Sequence, residues 1–268
     1  MSKIPHKREL IGAILLVWQA SLKTYGLDEP NIPLRYETPK SLTGKIFAKD
    51  SDRKTFLFKF TRQSTRSGMT LNVLREYSYP DGKLAARERL TYNGDSLSSY
   101  ELEELQIGAS GRAEVGRDLR DPEKSQILFE YLNNDSSKSQ PKVDIEPLRN
   151  DTLVNDMVGP FLAQHWDELI RGKEVKCRYI VVPRRETVGF TFKKDSEPHT
   201  DTRAILLIKM EATSPIIAAL IDPLVFTVEK APPHRVLEYS GRTTPKILSG
   251  SQWKDLNAIT VFDWPKAH

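Results

Sequence analysis

Two groupings of residues have the types and spacing that chemistry asks for. His165 and Glu168 stand three apart in a stretch patterned as helix. That spacing sets an imidazole and a carboxylate on one face, as a metal pair would need. Asp167 lies between them, and a helix laid on a sheet needs such a polar edge in any case. The other histidines, His6, His199, His234 and His268, are scattered, and Cys177 is the only cysteine. Neither a zinc motif nor an internal disulfide is therefore expected, and Cys177 in VKCRY reads as a small core residue. The second grouping, Arg184 and Arg185 after Pro183, sits between two apolar segments. Adjacent guanidinium groups in a tight loop can clamp a phosphate or carboxylate headgroup. They can equally discourage sheet-to-sheet pairing at an edge.

Other combinations are weaker. Asp118 with Asp121, or Glu101, Glu103 and Glu104, could be drawn as acid–base clusters, but they fit a solvated strand face as well. Gly108-Ala109-Ser110-Gly111 lacks the spacing of a nucleophile elbow, and no G-x-G-x-x-G or P-loop occurs. No catalytic residue, metal or cofactor is assigned on this basis. The aromatics are more suggestive: Phe161, Trp166, Tyr179, Phe190 and Phe192, with Phe56, Phe58 and Phe60, can converge where a helix meets a sheet. Such a set is either plain core or the lining of an apolar cavity.

These residues must be positioned by a mainly β frame. The organising stretch is 151–172, DTLVNDMVGPFLAQHWDELIRG, where Phe161, Leu162, Trp166, Leu169 and Ile170 follow helical spacing. Asp151 is a candidate cap, Pro160 suits a first helical position after a short turn at 152–158, and Gly172 ends the helix. Alternation predicts strands at 54–61, 69–79, 84–92, 97–105 and 125–132 before it. Pro80-Asp81-Gly82 and Asn93-Gly94 are tight reversals, so 69–105 is an antiparallel meander. Arg87, Arg89, Glu101 and Glu103 make one of its faces polar, and that face meets water. A short strand is expected near 112–115, and 133–150 reads as a mobile polar loop. After the helix come strands at 174–182, 186–193, 202–211, 224–229, 235–241 and 257–263, with two helical turns at 214–222 and a polar loop at 194–201. The order does not fit alternating βαβ units, which argues against a parallel nucleotide-binding sheet.

The charges are interspersed, 40 basic against 36 acidic for a net +4, with no basic stripe, so no nucleic-acid partner is expected. Lys3, Lys7 and Arg8 precede the apolar run Leu10–Trp18, with Ala20 as a small residue for cleavage. Residues 1–25 read as a signal peptide or an N-terminal helix, with Glu9 and Trp18 against the former. The run is too short to span a bilayer, though membrane association without spanning stays open. Residues 26–43, with three prolines, form an extended linker, and 44–268 a single β-rich domain. The expected location is periplasmic or secreted, with a cytoplasmic one as the alternative.

The expected export signal at 3–20, the meander at 69–105 with its two turns, the helix at 151–172 and the closing run 223–245 together resemble a group of bacterial envelope proteins. These carry a signal peptide and a curved antiparallel sheet partly closed over helices; periplasmic lipoprotein carriers and several uncharacterised families share the design. The resemblance covers most of the chain, contains no diagnostic motif, and carries over no functional residues. Cys177 being the only cysteine, there is no lipobox.

The expected fold is thus a large curved antiparallel sheet or open barrel with one central helix on its concave face. The expected function is non-catalytic binding of an apolar ligand, a lipid or acyl chain, beneath that helix. Phe161, Trp166, Tyr179, Phe190 and Phe192 would line the site, and Arg184 and Arg185 would meet a headgroup. A structural or protein-interaction module with a filled core is the alternative, and an unrecognised hydrolase a third.

Overall fold

The alternation of the meander produces strands whose inward side chains are buried and whose outward ones pair with each other. In the computed structural model, residues 40–118, 121, 124–133, 140–198 and 203–265 are described. The expected signal or N-terminal helix at 1–25 and linker residues 26–39 lie outside them. Within the described part of the linker, Ser41 to Thr43 already belong to the first strand, β1 (Ser41–Ala48).

Up-and-down strands follow: β2 (Phe56–Ser67), β3 (Thr70–Ser78), β4 (Leu84–Asn93), β5 (Ser96–Glu104), β6 (Ala109–Arg117), β7 (Ser125–Leu132) and β8 (Lys142–Pro147). The Pro80-Asp81-Gly82 turn is made as its residues require, with Gly82 at φ 91° and the Gly82 N–H donating to Tyr79 O at 2.9 Å. On the outer face Arg87 bonds Glu76 and Glu103, and Arg89 bonds Glu103, a ladder of exposed opposite charges across β3, β4 and β5. The second half comprises the two-residue β9 (Thr152–Leu153), then β10 (Val175–Val181), β11 (Glu186–Ser196), β12 (Ile205–Ala212), β13 (Leu224–Glu229), β14 (Val236–Ser249) and β15 (Gln252–Asp263).

Among the described residues these form one sheet in the order β8-β7-β6-β5-β4-β3-β2-β1-β15-β14-β13-β12-β11-β10-β9. All neighbours are antiparallel except β9 on β10. The mainly β, open-barrel architecture expected from the alternation is therefore the observed one. The sheet must curl tightly. β8 and β11 stand twelve positions apart in that order, which would separate them by about 58 Å if the sheet were flat. Yet Glu146 of β8 accepts hydrogen bonds from the Thr187 N–H at 2.9 Å and its hydroxyl at 2.7 Å. Side chains, rather than a backbone ladder, bring the two rims together.

The segment expected as one helix is a plug of several short pieces. β9 leads into a 3-10 turn at Asn155–Met157, then α1 (Val158–Gln164) and α2 (Trp166–Ile170). His165, at φ −98° and ψ 16°, breaks the run between them. Its ring lies on Phe161, centroids 4.5 Å apart, and its Nδ1 is 2.8 Å from Glu168 Oε1. The start also differs: the helix begins at Val158 rather than Pro160, and Asp151 does not cap it. The helical spacing nonetheless gives the right buried face, since Phe161, Leu162, Trp166 and Leu169 all lie in the main core with inward residues of β3 to β7 and β10 to β13. A second core holds Leu42, Ile46, Phe58, Phe60, Tyr77, Ala86 and Ala258.

Two further expectations need correction. The polar stretch 133–150 contains β8, whose Asp144 and Glu146 are the partners that close the rim. The short strand near 112–115 is a full nine-residue strand. Gly111 in it faces Val182, in the turn after β10: a Cβ there would lie 2.7 Å from Val182 Cγ1 and 2.6 Å from Glu130 O. Gly111→Val should lower stability by about 1–3 kcal/mol through overpacking. Urea unfolding reads this directly, and an unchanged midpoint would mean that the rims are not in close contact there.

Candidate functional site

Charged residues occupy several inward strand positions that alternation reserves for apolar ones; Glu104 on β5 is one, and three more join a plug residue in a matched set of four. Arg62 follows Phe58 and Phe60 on β2, Arg75 stands between Val73 and Tyr77 on β3, and Glu88 between Ala86 and Leu90 on β4. Asp156 comes from the plug, and all four are buried. They lie along the seam of the two cores: Val73 and Leu90 belong to the main one, Tyr77 and Ala86 to the second.

The four are matched in pairs. Arg62 Nε donates to Asp156 Oδ1 at 2.6 Å and Nη2 to Oδ2 at 3.0 Å, a two-pronged bond from sheet to plug. Arg75 Nη1 donates to Glu88 Oε2 at 2.7 Å. Glu88 Oε1 also accepts from Tyr77, Asn155 and Thr244. Burial tends to raise the Asp156 carboxyl, but the Arg62 guanidinium, with Arg75 and the Tyr92 hydroxyl, outweighs it and holds the group below the usual carboxylate range. Burial tends to lower Arg75, and Glu88 more than restores it, so Arg75 stays a cation. Arg75 Nε, however, has no hydrogen-bond partner among the described residues.

Beside this seam is a cavity of about 510 Å³. Arg62, Arg75 and Asp156 line it on one side; Val158 and Pro160 of the plug form another wall. Apolar walls come from Tyr179, Val188, Phe190, Met210, Phe226 and Val236 of the second half. Thr244 and Lys246 line it from the β14–β15 hairpin. Thr244 Oγ1 is 2.5 Å from Glu88 Oε1, and Gln106 bonds the backbone of Lys246 on both sides, at 2.7 and 2.9 Å. β4 and β14 are five positions apart in the sheet, about 24 Å if it were flat, so these contacts also measure its curl.

The seven residues marked in the sequence fall in three places. Tyr179, Phe190 and Arg184 line the cavity. Phe161, Phe192 and Trp166 do not: they fill the core beside it. Phe161 packs on Phe192 at 5.4 Å, and Trp166 stacks on His234 at 4.0 Å. The two arginines form no clamp. Arg185, at φ 57°, turns to Asp144 of β8 at 2.6 Å, while Arg184 bonds Glu186 at 2.5 Å. Cys177 is buried, which pushes its thiol up to about 12. Among the described residues no group of three or more His, Cys, Asp and Glu is placed to hold a metal. Arg62, Arg75 and Glu88 were not singled out from the sequence, although a legible signal existed: charged residues in phase with apolar neighbours, with Arg75 and Glu88 opposite in sign on adjacent strands.

The fold and site together define an open antiparallel barrel with an internal plug and a cavity beside it. No family model matches the chain, and no curated protein does either. Among solved structures, it is similar to a beta-barrel-like protein of the domain of unknown function DUF1849 from Brucella abortus, at 8% identity and a TM-score of 0.39. That match covers 84% of this chain and 97% of the other. The finer likeness to lipoprotein carriers does not come from it.

Removing one member of a buried pair leaves the other charge uncompensated, so Asp156→Ala should cost about 3–5 kcal/mol, and Arg62→Met with Asp156→Leu should recover most of it. Urea midpoints of the three proteins check this; a double variant no better than the single one would count against the pairing. The pH dependence has a definite sign. A carboxyl held below its unfolded value contributes stability that is present above the ordinary carboxylate range and is lost as pH falls through its folded value. The urea midpoint should therefore drop on acidification below about pH 4, and less steeply in Asp156→Asn than in wild type.

Proposed function

We propose that this chain is a non-catalytic binding protein that holds an apolar ligand, a lipid or acyl chain, inside the barrel. The observation that carries this reading is the interior cavity of about 510 Å³, walled by Val158, Val188, Phe190, Met210 and Phe226. Its size falls in the range of about 300–1,000 Å³ that small-molecule sites occupy. The site differs from that expected in the sequence: it lies between plug, sheet and hairpin, and Phe161 and Trp166 act as packing behind it. One part of the cavity's boundary is the segment around α3 (Pro215–Ala218), which has no buried residue of its own. Ile217 and Ile221 face the cavity from it, while Ile216 and Leu220 are 77% and 69% exposed. The basic start and apolar run at 3–20 support an exported protein, periplasmic or secreted.

Native mass spectrometry of protein purified without detergent, followed by organic extraction, tests the reading. The expected result is an added mass of roughly a few hundred daltons that extraction releases as lipid. Val188→Trp, which fills the cavity from β11, should abolish the added mass while keeping a cooperative melt. A bare mass in wild type, together with no uptake of diphenylhexatriene, would sink the reading and favour an interaction module instead.

A further inference from the structure

The cavity has spare hydrogen-bond donors and no spare charge. Every cation that lines it is matched to a carboxylate: Arg62 to Asp156, Arg75 to Glu88, Arg184 to Glu186, Arg242 to Asp255, and Lys246 to both Glu104 and Asp255. A ligand carboxylate or phosphate would enter as an additional buried anion without a counter-ion, which is strongly unfavourable in a low-dielectric interior. Donors without acceptors are a different matter. Arg75 is not among them: its Nη1 bonds Glu88, its guanidinium lies over the Phe60 ring at 5.2 Å, and its Nε, though unpartnered, is sealed from the cavity. Tyr100 and Tyr179 line the same cavity, and neither hydroxyl has a hydrogen-bond acceptor among the described residues. Arg75, Tyr100 and Tyr179 lie within electrostatic reach of one another. Burial first, and the Glu88 charge next, raise both hydroxyls well above the usual phenol range, so both remain donors.

The geometry points to a neutral amphiphile as the ligand, one whose acceptor oxygens, an ester or amide carbonyl, meet Tyr100 and Tyr179 while its hydrocarbon fills the apolar walls. This rests on the apolar-ligand reading above and narrows it: the headgroup is an uncharged acceptor and not an acid. It also replaces the headgroup role first drawn for Arg184 and Arg185, whose charges are already used.

Methyl palmitate, monopalmitoylglycerol and palmitic acid share one chain and differ in the headgroup. Their displacement of diphenylhexatriene from wild-type protein at neutral pH reads the preference. The two esters should bind at least about tenfold more tightly than the acid. Tyr100→Phe with Tyr179→Phe should weaken the esters about tenfold and leave diphenylhexatriene, which has no headgroup, unaffected. Palmitic acid binding as tightly as its ester, or esters indifferent to the tyrosine pair, would overturn this inference and leave the apolar-ligand reading standing. No uptake of any probe, diphenylhexatriene included, would overturn both.

Discussion

The two-pronged bond between Arg62 and Asp156 is the contact on which the interior depends. A curled sheet lined by Phe, Leu and Val could close on a plug in many registers, because apolar packing has little directional preference. A guanidinium fixed on β2 and a carboxylate fixed in the turn before α1 accept one. Bonds at 2.6 and 3.0 Å set the plug's position along the barrel. Glu88 then ties three more elements to the same place, through Arg75 on β3, Asn155 in the plug and Thr244 on the hairpin. Such a network is a weak source of net stability, since desolvating four charges offsets much of what the pairs return. Its physical effect is to choose one arrangement among near-equals.

The same network explains why there is a cavity at all. Apolar side chains tend to collapse into any space beside them, and interiors are packed close to crystal density. Here collapse from the apolar walls would press hydrocarbon onto the hydroxyls of Tyr100 and Tyr179, leaving donors buried without acceptors. The plug cannot shift to fill the space without breaking its bond to Arg62. The hairpin is held likewise, by Gln106 on the Lys246 backbone. Polar restraints on three sides thus keep open a space that hydrophobic packing alone would remove.

Much of the frame was legible because it rests on local rules. Alternation located β7 and β13 to the residue, and the Pro-Asp-Gly and Asn-Gly turns fixed the meander. What could not be read depends on partners distant in sequence. β8 hides in a polar stretch since its Asp144 and Glu146 serve Arg185 and Thr187, about forty residues on. The plug's spacing is helical, and nothing local announces that His165 would leave the helix to sit on Phe161. Arg184 and Arg185, adjacent in sequence, diverge because Arg185 takes a left-handed backbone. The site itself was readable in principle: Arg75 shares a strand phase with Leu71, Val73 and Tyr77, and an alternation that holds a cation in an apolar phase is unexplained until its partner is found.

The distribution of restraint also decides which part of the molecule can yield to a ligand. Opening at the plug would separate Arg62 from Asp156, and opening at the hairpin would strip Glu88 of Thr244; either leaves buried charge poorly satisfied. The Ser214–Asp222 segment has neither constraint. It is anchored by four backbone bonds of its own turn and by exposed bonds of Asp222 to Lys49 and Asn257, contributes Ile217 and Ile221 to the cavity wall, and has no fully buried residue. Local opening is least costly where few apolar contacts and no buried polar bonds are lost. The charge network and this segment are therefore complementary: one fixes the shape of the interior, and the other is the part of its boundary that holds no buried residue.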